Sequence, residues 1–291
     1  MRYAYYPGCS MHSATAREYE SSLLAVSALL GLDLQEVDDW YCCGSGAAHS
    51  VSKLLAATLP LGNLASSRRM GLDRVVVPCP SCLARFKAAL FHVEHEPELS
   101  AQVKEVVEGD YRAKVYHPLQ LFSHPDALAA IAAARKPIPP DWKVACYYGC
   151  LLTRPPKLAQ FDDVENPHSM DDVLRAAGFP TVDWPGKTNC CGAALTLTRK
   201  DVVVKLCHDI LQEAKESGAD AIAVACPMCQ VNLDTRQEEI EARYGDRDRL
   251  PILYFTQLLA VAFGLSREVL MFEKHMVVPG PTLTEVAFGD R

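Results

Sequence analysis

Cys42-Cys43-Gly44 and Cys190-Cys191-Gly192 decide how this chain is read, because the second triplet repeats the first 148 residues on and its neighbours repeat with it. Around the first stand Cys9, Cys79 and Cys82; around the second, in the same order, stand Cys150, Cys226 and Cys229. The offset is 141 residues for the leading cysteine, 148 for the doublet and 147 for the C-x-x-C, so one insertion of seven and one deletion of one relate the two sets. The flanks repeat as well. Tyr5-Tyr6-Pro7-Gly8-Cys9 matches Tyr147-Tyr148-Gly149-Cys150, and Val77-Pro78-Cys79-Pro80-Ser81-Cys82 matches Val224-Ala225-Cys226-Pro227-Met228-Cys229. Val115-Tyr116-His117-Pro118-Leu119-Gln120-Leu121-Phe122 matches Leu253-Tyr254-Phe255-Thr256-Gln257-Leu258-Leu259. Self-similarity on this scale marks a duplicated domain. The expected domains are 1–140 and 141–291, the second with a C-terminal tail, joined across the Pro-rich Lys136-Pro137-Ile138-Pro139-Pro140.

Within each half, short apolar runs alternate with helical periodicity, which predicts parallel strands joined by crossover helices and an α/β fold. The first half should form strands over Arg2–Tyr6, Asp33–Val37 and Arg74–Pro78, with helices over Thr15–Leu30 and Val51–Met70. The second should form strands over Val144–Tyr148, Thr181–Trp184 and Ala221–Ala225, with helices over Asp171–Ala177 and Lys200–Ser217. The expected architecture is two tandem repeats of a small parallel-sheet, cysteine-rich domain related by pseudo-two-fold symmetry. The cysteines then fall beyond strand ends or at helix starts, where open α/β sheets carry their chemistry. Helix N-termini there favour anionic thiolates. Gly44 and Gly192 allow close backbone approach beside the doublets, and Pro80 and Pro227 suit the first turn of a helix.

With 291 residues, 49% of them apolar and 22% charged, the chain can bury a core in each half and is not of disordered composition. A net charge of −7 argues against a nucleic-acid surface, which needs clustered Lys and Arg. The longest apolar runs, near Leu23–Leu32 and Phe255–Leu265, fall short of the roughly 18 to 20 residues of a membrane span. No signal-peptide core precedes Pro7-Gly8-Cys9, so the expected location is the cytoplasm. In a reducing compartment, twelve cysteines read as metal ligands or redox groups rather than structural disulfides.

Tetrahedral zinc takes four ligands, and five matched thiols per half leave one over. Adjacent cysteines point apart and suit two different metal ions, which favours a polynuclear iron–sulfur cluster. From the residues alone, zinc and redox-active disulfides stay open beside it. The ferredoxin spacing C-x-x-C-x-x-C is missing, so a standard cubane is not indicated. No G-x-G-x-x-G follows a strand, so neither flavin nor nicotinamide is expected on this chain.

The two sets, from Tyr3 to about Gly264, resemble the CCG cysteine-rich domain, found in heterodisulfide reductase B subunits and in electron-transfer subunits of succinate and hydroxyacid dehydrogenases. Tyr147-Tyr148-Gly149-Cys150-Leu151-Leu152-Thr153-Arg154-Pro155-Pro156-Lys157, Pro167-His168-Ser169-Met170-Asp171 and Asn189-Cys190-Cys191-Gly192-Ala193 are most similar to the heterodisulfide reductase B subunit. The resemblance implies a noncubane four-iron four-sulfur cluster on each five-cysteine set and a small disulfide bound between the clusters, reduced to two thiols or formed in reverse. It also implies two partners, a flavin-containing A subunit and a ferredoxin-like C subunit. The alternative is a cluster-bearing electron-transfer subunit of a succinate or hydroxyacid dehydrogenase, without disulfide chemistry; a zinc scaffold is a third reading. The doublets continue as Gly44-Ser45-Gly46 and Gly192-Ala193-Ala194, so the two sites have different surroundings.

Outside the repeat, His12 lies close enough in sequence to Cys9 to serve as a proton donor. Arg154, Lys157 and Arg199 flank the second half's cysteine loops and are candidate grips for substrate carboxylate or phosphate. Cys146 reads as a strand thiol, Cys207 as a buried free thiol and His208 as a solvent-side helix residue. Beyond Lys274, Pro279-Gly280-Pro281 rules out regular helix, and that tail is expected to drape over the domain or a partner.

Overall fold

The computed structural model describes residues 1–13, 15–138, 142–280 and 283. The first half forms strands β1 (Arg2–Tyr5), β2 (Asp33–Glu36), β3 (Arg74–Val76) and β4 (Lys114–Tyr116), hydrogen-bonded in the order β2-β1-β3-β4. The second forms β5 (Val144–Tyr147), β6 (Thr181–Val182), β7 (Ala221–Val224) and β8 (Ile252–Tyr254), in the matching order β6-β5-β7-β8. Every pairing is parallel, as crossover helices require. Central strands read as unbroken apolar runs because helices cover both faces, and Ala221–Val224 is buried throughout. Edge strand β2, Asp-Leu-Gln-Glu, faces water along much of its length.

The alternation of strand and helix agrees with the sequence pattern at all six expected strands. The fourth strand of each sheet lies inside the segment that closes each repeat, and at three residues it is too short to show periodicity. The helix expected over Val51–Met70 is broken at Ser52, whose backbone is extended and whose hydroxyl accepts from Leu55 N at 3.3 Å to cap helix Lys53–Arg69.

The halves are welded rather than strung together. Helix Arg17–Leu29 of the first half packs on Phe255–Phe263 of the second, and Ser169–Ala176 of the second packs on Pro118–Phe122 and Pro125–Ala134 of the first. Each half thus lays its closing helices on the other half's first crossover helix, a pseudo-two-fold exchange. At this seam Tyr19 stacks on Tyr254 at 4.3 Å and Ser22 Oγ lies 2.7 Å from Thr256 Oγ1. One continuous core results, in place of two separate ones. Of the inter-repeat stretch, Lys136 N donates to Ala262 O at 2.7 Å, while Pro139 and Pro140 lie outside the described residues.

The tail beyond Lys274 folds back on the second half. His275 is buried between Gln230 and Gln257, and Asp234 accepts from the backbone N–H groups of Met276 and Val277. Pro281 and residues 284–291 lie outside the described residues.

Candidate metal centre

In an order of 2-1-3-4 the chain reverses direction between β1 and β3, and between β5 and β7, leaving a crevice at the carboxyl ends of those strands. Cys9 follows β1, Cys79 follows β3, and the loop after β2 returns Cys42 and Cys43 to the same place. Cys150, Cys226, Cys190 and Cys191 repeat this in the second half. Pro80 and Pro227 open helices Pro80–His95 and Pro227–Thr235, so Cys79 and Cys226 sit at helix N-caps and Cys82 and Cys229 lie in the first turns.

All twelve thiols are free. Each site has a buried floor, Cys43, Cys79 and Cys82 or Cys191, Cys226 and Cys229, and an open rim, where Cys9, Cys42 and Cys190 are exposed and Cys150 is half-exposed. The sulfurs pair: Cys43 Sγ to Cys82 Sγ at 3.0 Å, Cys191 Sγ to Cys229 Sγ at 3.5 Å, Cys150 Sγ to Cys190 Sγ at 3.8 Å. In both halves the second doublet cysteine is held below its ordinary pKa by a thiol hydrogen bond, from Cys82 to Cys43 and from Cys229 to Cys191. Cys190 is lowered to about 6 by its bond with Cys150. Burial pushes Cys9 up, followed by the charges of Cys42, Cys79 and Cys43.

The two sites meet. Cys79 is held well below its ordinary pKa by hydrogen bonds from Cys226 of the other half and then from Cys82. Directly behind them lies His117, fully buried, whose Nε2 donates to Pro78 O at 2.8 Å and Ala225 O at 3.1 Å, the carbonyls that precede Cys79 and Cys226. Its Nδ1 accepts from Leu119 N at 3.2 Å, which fixes the tautomer. His117 thereby clamps the two C-x-x-C turns together. The sequence shows it only as one member of the closing repeat, because the contact joins residues 39 and 108 positions apart.

The remaining candidates lie elsewhere. His12 Nε2 sits 3.6 Å from Glu20 and 3.4 Å from Glu36, edge-on to Trp40, and lines a cleft of about 420 Å³ with Arg17, Ser21, Leu24 and Met271. Arg154 donates to Val164 O at 3.0 Å and bonds Thr188; Lys157 lies 4.4 Å over the Phe91 ring; Arg199 pairs with Asp201 at 3.1 Å. Each of the three basic residues is engaged by a different partner. Cys146 is buried in β5, Cys207 is buried with its thiol directed at Cys191 O, and His208 stacks on Tyr244 at 4.0 Å.

A buried ion pair supports the second rim. Lys187 Nζ lies 3.3 Å from both carboxylate oxygens of Asp171 and donates to Pro167 O at 3.1 Å. Its own carbonyl accepts from Tyr148 N at 2.8 Å and Gly149 N at 3.1 Å, fixing the turn that carries Cys150.

Among the described residues, no three Cys, His, Asp or Glu side chains converge as a single ion would require; the thiols pair around a space instead. Gly8 and Gly149, at φ +67° and +68°, keep that space clear, since a Cβ on either would come within 3.5 Å of Cys82 Sγ or 3.2 Å of Cys229 Sγ. Five soft thiols around a glycine-lined cradle fit a polynuclear, sulfide-bearing group.

A duplicated α/β protein with a thiol set at each switch point is the class these features define. Residues 3–87 and 144–234 each match the CCG cysteine-rich domain, and the chain belongs to that family. It is 29% identical over 284 residues to the 8-methylmenaquinol:fumarate reductase membrane anchor subunit of Wolinella succinogenes, covering 94% of this chain and 96% of that one. It is 28% identical over 259 residues to the B subunit of the ferredoxin/F(420)H(2)-dependent CoB-CoM heterodisulfide reductase of Methanosarcina acetivorans, covering 85% of each. An Archaeoglobus profundus protein, itself described as like the heterodisulfide reductase B subunit, is 25% identical over 280 residues, covering 92% of each. A crystal structure of a hypothetical protein from Helicobacter pylori shares the fold, with a TM-score of 0.72 at 14% identity over 94% of this chain and 51% of that chain. Among the described residues no helix is long and apolar enough to cross a membrane.

Proposed function

We propose that the chain is the catalytic iron–sulfur subunit of a heterodisulfide reductase-type complex. Cys9, Cys42, Cys43, Cys79 and Cys82 hold one noncubane four-iron four-sulfur cluster, and Cys150, Cys190, Cys191, Cys226 and Cys229 hold the other. The observation that carries this reading is the His117 bridge between Pro78 O and Ala225 O, the carbonyls that precede Cys79 and Cys226, which brings the two C-x-x-C turns together. When bound, the clusters supply one electron each. The overall reaction joins one small disulfide, two electrons and two protons to give two thiols, breaking the S–S bond and forming two S–H bonds. The chain's own contribution is spatial: the buried floors fix the spacing, and the open rims at Cys9, Cys42, Cys150 and Cys190 leave the substrate a way in. The electron donors are a flavin-containing A subunit and a ferredoxin-like C subunit in the cytoplasm.

The similarity to the fumarate reductase anchor subunit favours a second reading, in which the same clusters relay electrons within a fumarate or succinate enzyme and no disulfide is cleaved. Anaerobic purification separates the two. A reductase of the first kind holds about eight irons with acid-labile sulfide, changes a cluster signal when candidate thiols are added, and co-purifies with a flavoprotein rich in cubane clusters. Co-purification with a dicarboxylate-oxidising or -reducing flavoprotein and indifference to thiols supports the second. Zinc without acid-labile sulfide would sink both.

A further inference from the structure

Asn232 stands one helical turn after Cys229, fully buried, and serves the other cysteine of its pair. Its Nδ2 donates to Cys191 O at 3.0 Å and reaches Cys191 Sγ at 3.8 Å, while its Oδ1 accepts from the Thr196 hydroxyl at 2.8 Å. A carbonyl can only accept, so the amide group must face Cys191, and Thr196 holds it there. The Cys207 thiol donates to the same carbonyl at 3.7 Å.

Among the described residues, the first half has neither the amide nor the Cys207 thiol, and the Tyr6 hydroxyl stands beside Cys43 in their place. The residue 147 positions before Asn232 is Arg85, which makes no hydrogen bond to Cys43. A Cβ on Gly44 would meet Leu59 and one on Gly192 would meet Leu206, so Pro60 takes the place of Cys207. The Tyr6 hydroxyl bonds Cys43 but has a single proton, which Tyr41 O also accepts at 2.9 Å, whereas the Asn232 amide has two N–H groups. Both doublets have the backbone N–H two residues on, Ser45 or Ala193, so what distinguishes them is the kind of side-chain donor, a hydroxyl shared with a carbonyl at Cys43 and an amide held by Thr196 at Cys191.

We propose that Asn232, oriented by Thr196, is a positioning residue that raises the reduction potential of the second cysteine site and makes the two halves unequal electron acceptors. This rests on the iron–sulfur reading above. An N–H donor to a ligand sulfur stabilises the electron-richer state of a cluster more than the oxidised one, so adding an electron becomes easier. In the full chain, purified anaerobically with its clusters, Asn232→Leu should weaken reduction of one centre about tenfold, a fall of about 59 mV for a one-electron couple. Thr196→Val, which frees the amide, should move the same centre in the same direction by less, and Arg85→Leu should leave it in place. Redox titration followed by electron paramagnetic resonance and visible absorption reads these shifts, with iron and sulfide contents as the control. Unmoved potentials, or an equal shift of both centres, in fully loaded Asn232→Leu would overturn the role of Asn232. If that variant loads poorly, Thr196→Val decides by the same criterion. Wild-type protein without iron and acid-labile sulfide would overturn the iron–sulfur reading itself, a failure recognisable before any variant is made.

Discussion

Replacing His117 by phenylalanine probes the clamp and yields a magnitude that depends on pH. Ala225 O and Leu119 N lose their His117 partner, whereas Pro78 O keeps the Tyr19 hydroxyl at 3.5 Å. Two stranded backbone groups at about 1–3 kcal/mol each cost about 2–6 kcal/mol, a large part of the ~5–15 kcal/mol that holds an ordinary domain. The pH dependence follows from the imidazole. Burial holds it at about 4 against an ordinary 6.5, outweighing the two carbonyl hydrogen bonds that push the other way. Between those values the unfolded chain takes up a proton that the folded chain refuses, so stability is full above pH 6.5 and drains away as pH falls toward 4. The whole window is worth about 3 kcal/mol, and about 2 kcal/mol of it is lost between pH 7 and pH 5. His117→Phe has no such proton to take up. Urea unfolding followed by tryptophan fluorescence should therefore show a gap between wild type and variant that narrows by about 2 kcal/mol from pH 7 to pH 5. A gap of equal size at both pH values would refute the neutral, doubly donating imidazole. His275, which burial also lowers to about 4, is common to both proteins and cancels in the comparison.

Lys187→Met leaves the buried Asp171 carboxylate without its ammonium and should cost about 3–5 kcal/mol in thermal or chemical unfolding, most of it recovered when Asp171→Leu is added. Gly149→Ala puts a methyl group on a left-handed backbone 3.2 Å from Cys229 Sγ, and under the proposed iron–sulfur reading iron analysis should show loss of metal from the second site with the first retained. Gly8→Ala should disturb the first site less, since its methyl group would press on Tyr6 Cε1 at 3.2 Å from a left-handed backbone while meeting Cys82 Sγ at an ordinary 3.5 Å. Glu18 is buried with one carboxylate oxygen unpartnered, and desolvation, with Asp234 adding to it, raises its carboxyl to about 7. The folded state thus holds a proton the unfolded state releases above about pH 4.5, so wild type loses stability as pH rises through 7; Glu18→Gln should unfold later than wild type at pH 8 and lose that advantage at pH 5.

What could be read from the sequence was whatever local chemistry writes. Cys79-Pro80 and Cys226-Pro227 mark helix starts because proline tolerates a first turn, and the parallel strands show as apolar runs because both their faces are buried. The doublets gave away the duplication since their spacing survives folding. Contacts set by the second half's position against the first leave no such trace. Nothing in Val115-Tyr116-His117 says that the imidazole will reach Ala225 O, and Arg154, Lys157 and Arg199 are close in sequence to the cysteine loops while spending their charge on Val164, Phe91 and Asp201. Asn232 was equally silent, because its partners Cys191 and Thr196 come from a loop 36 to 41 residues away.

A duplicated domain builds two like sites without effort, but its pseudo-two-fold axis admits one side chain where the repeat offers two. Gln120 Oε1 accepts from His117 N at 2.8 Å and Gln257 Oε1 from Tyr254 N at 2.9 Å, which makes His117 and Tyr254 equivalent positions. Only His117 can stand between Pro78 O and Ala225 O, since a single N–H there already serves both carbonyls. Tyr254 is displaced to stack on Tyr19, and its buried hydroxyl goes unpartnered. Symmetry must fail at the axis, and it also fails at the rims, where Asn232 against Arg85 and Cys207 against Pro60 leave the sulfur of Cys191 and that of Cys43 with different neighbours. If the sites hold the proposed one-electron centres, a difference in potential between them fixes the order in which they take up charge, so unequal neighbours at Cys43 and Cys191 would let a duplicated pair of sites tell the first electron from the second.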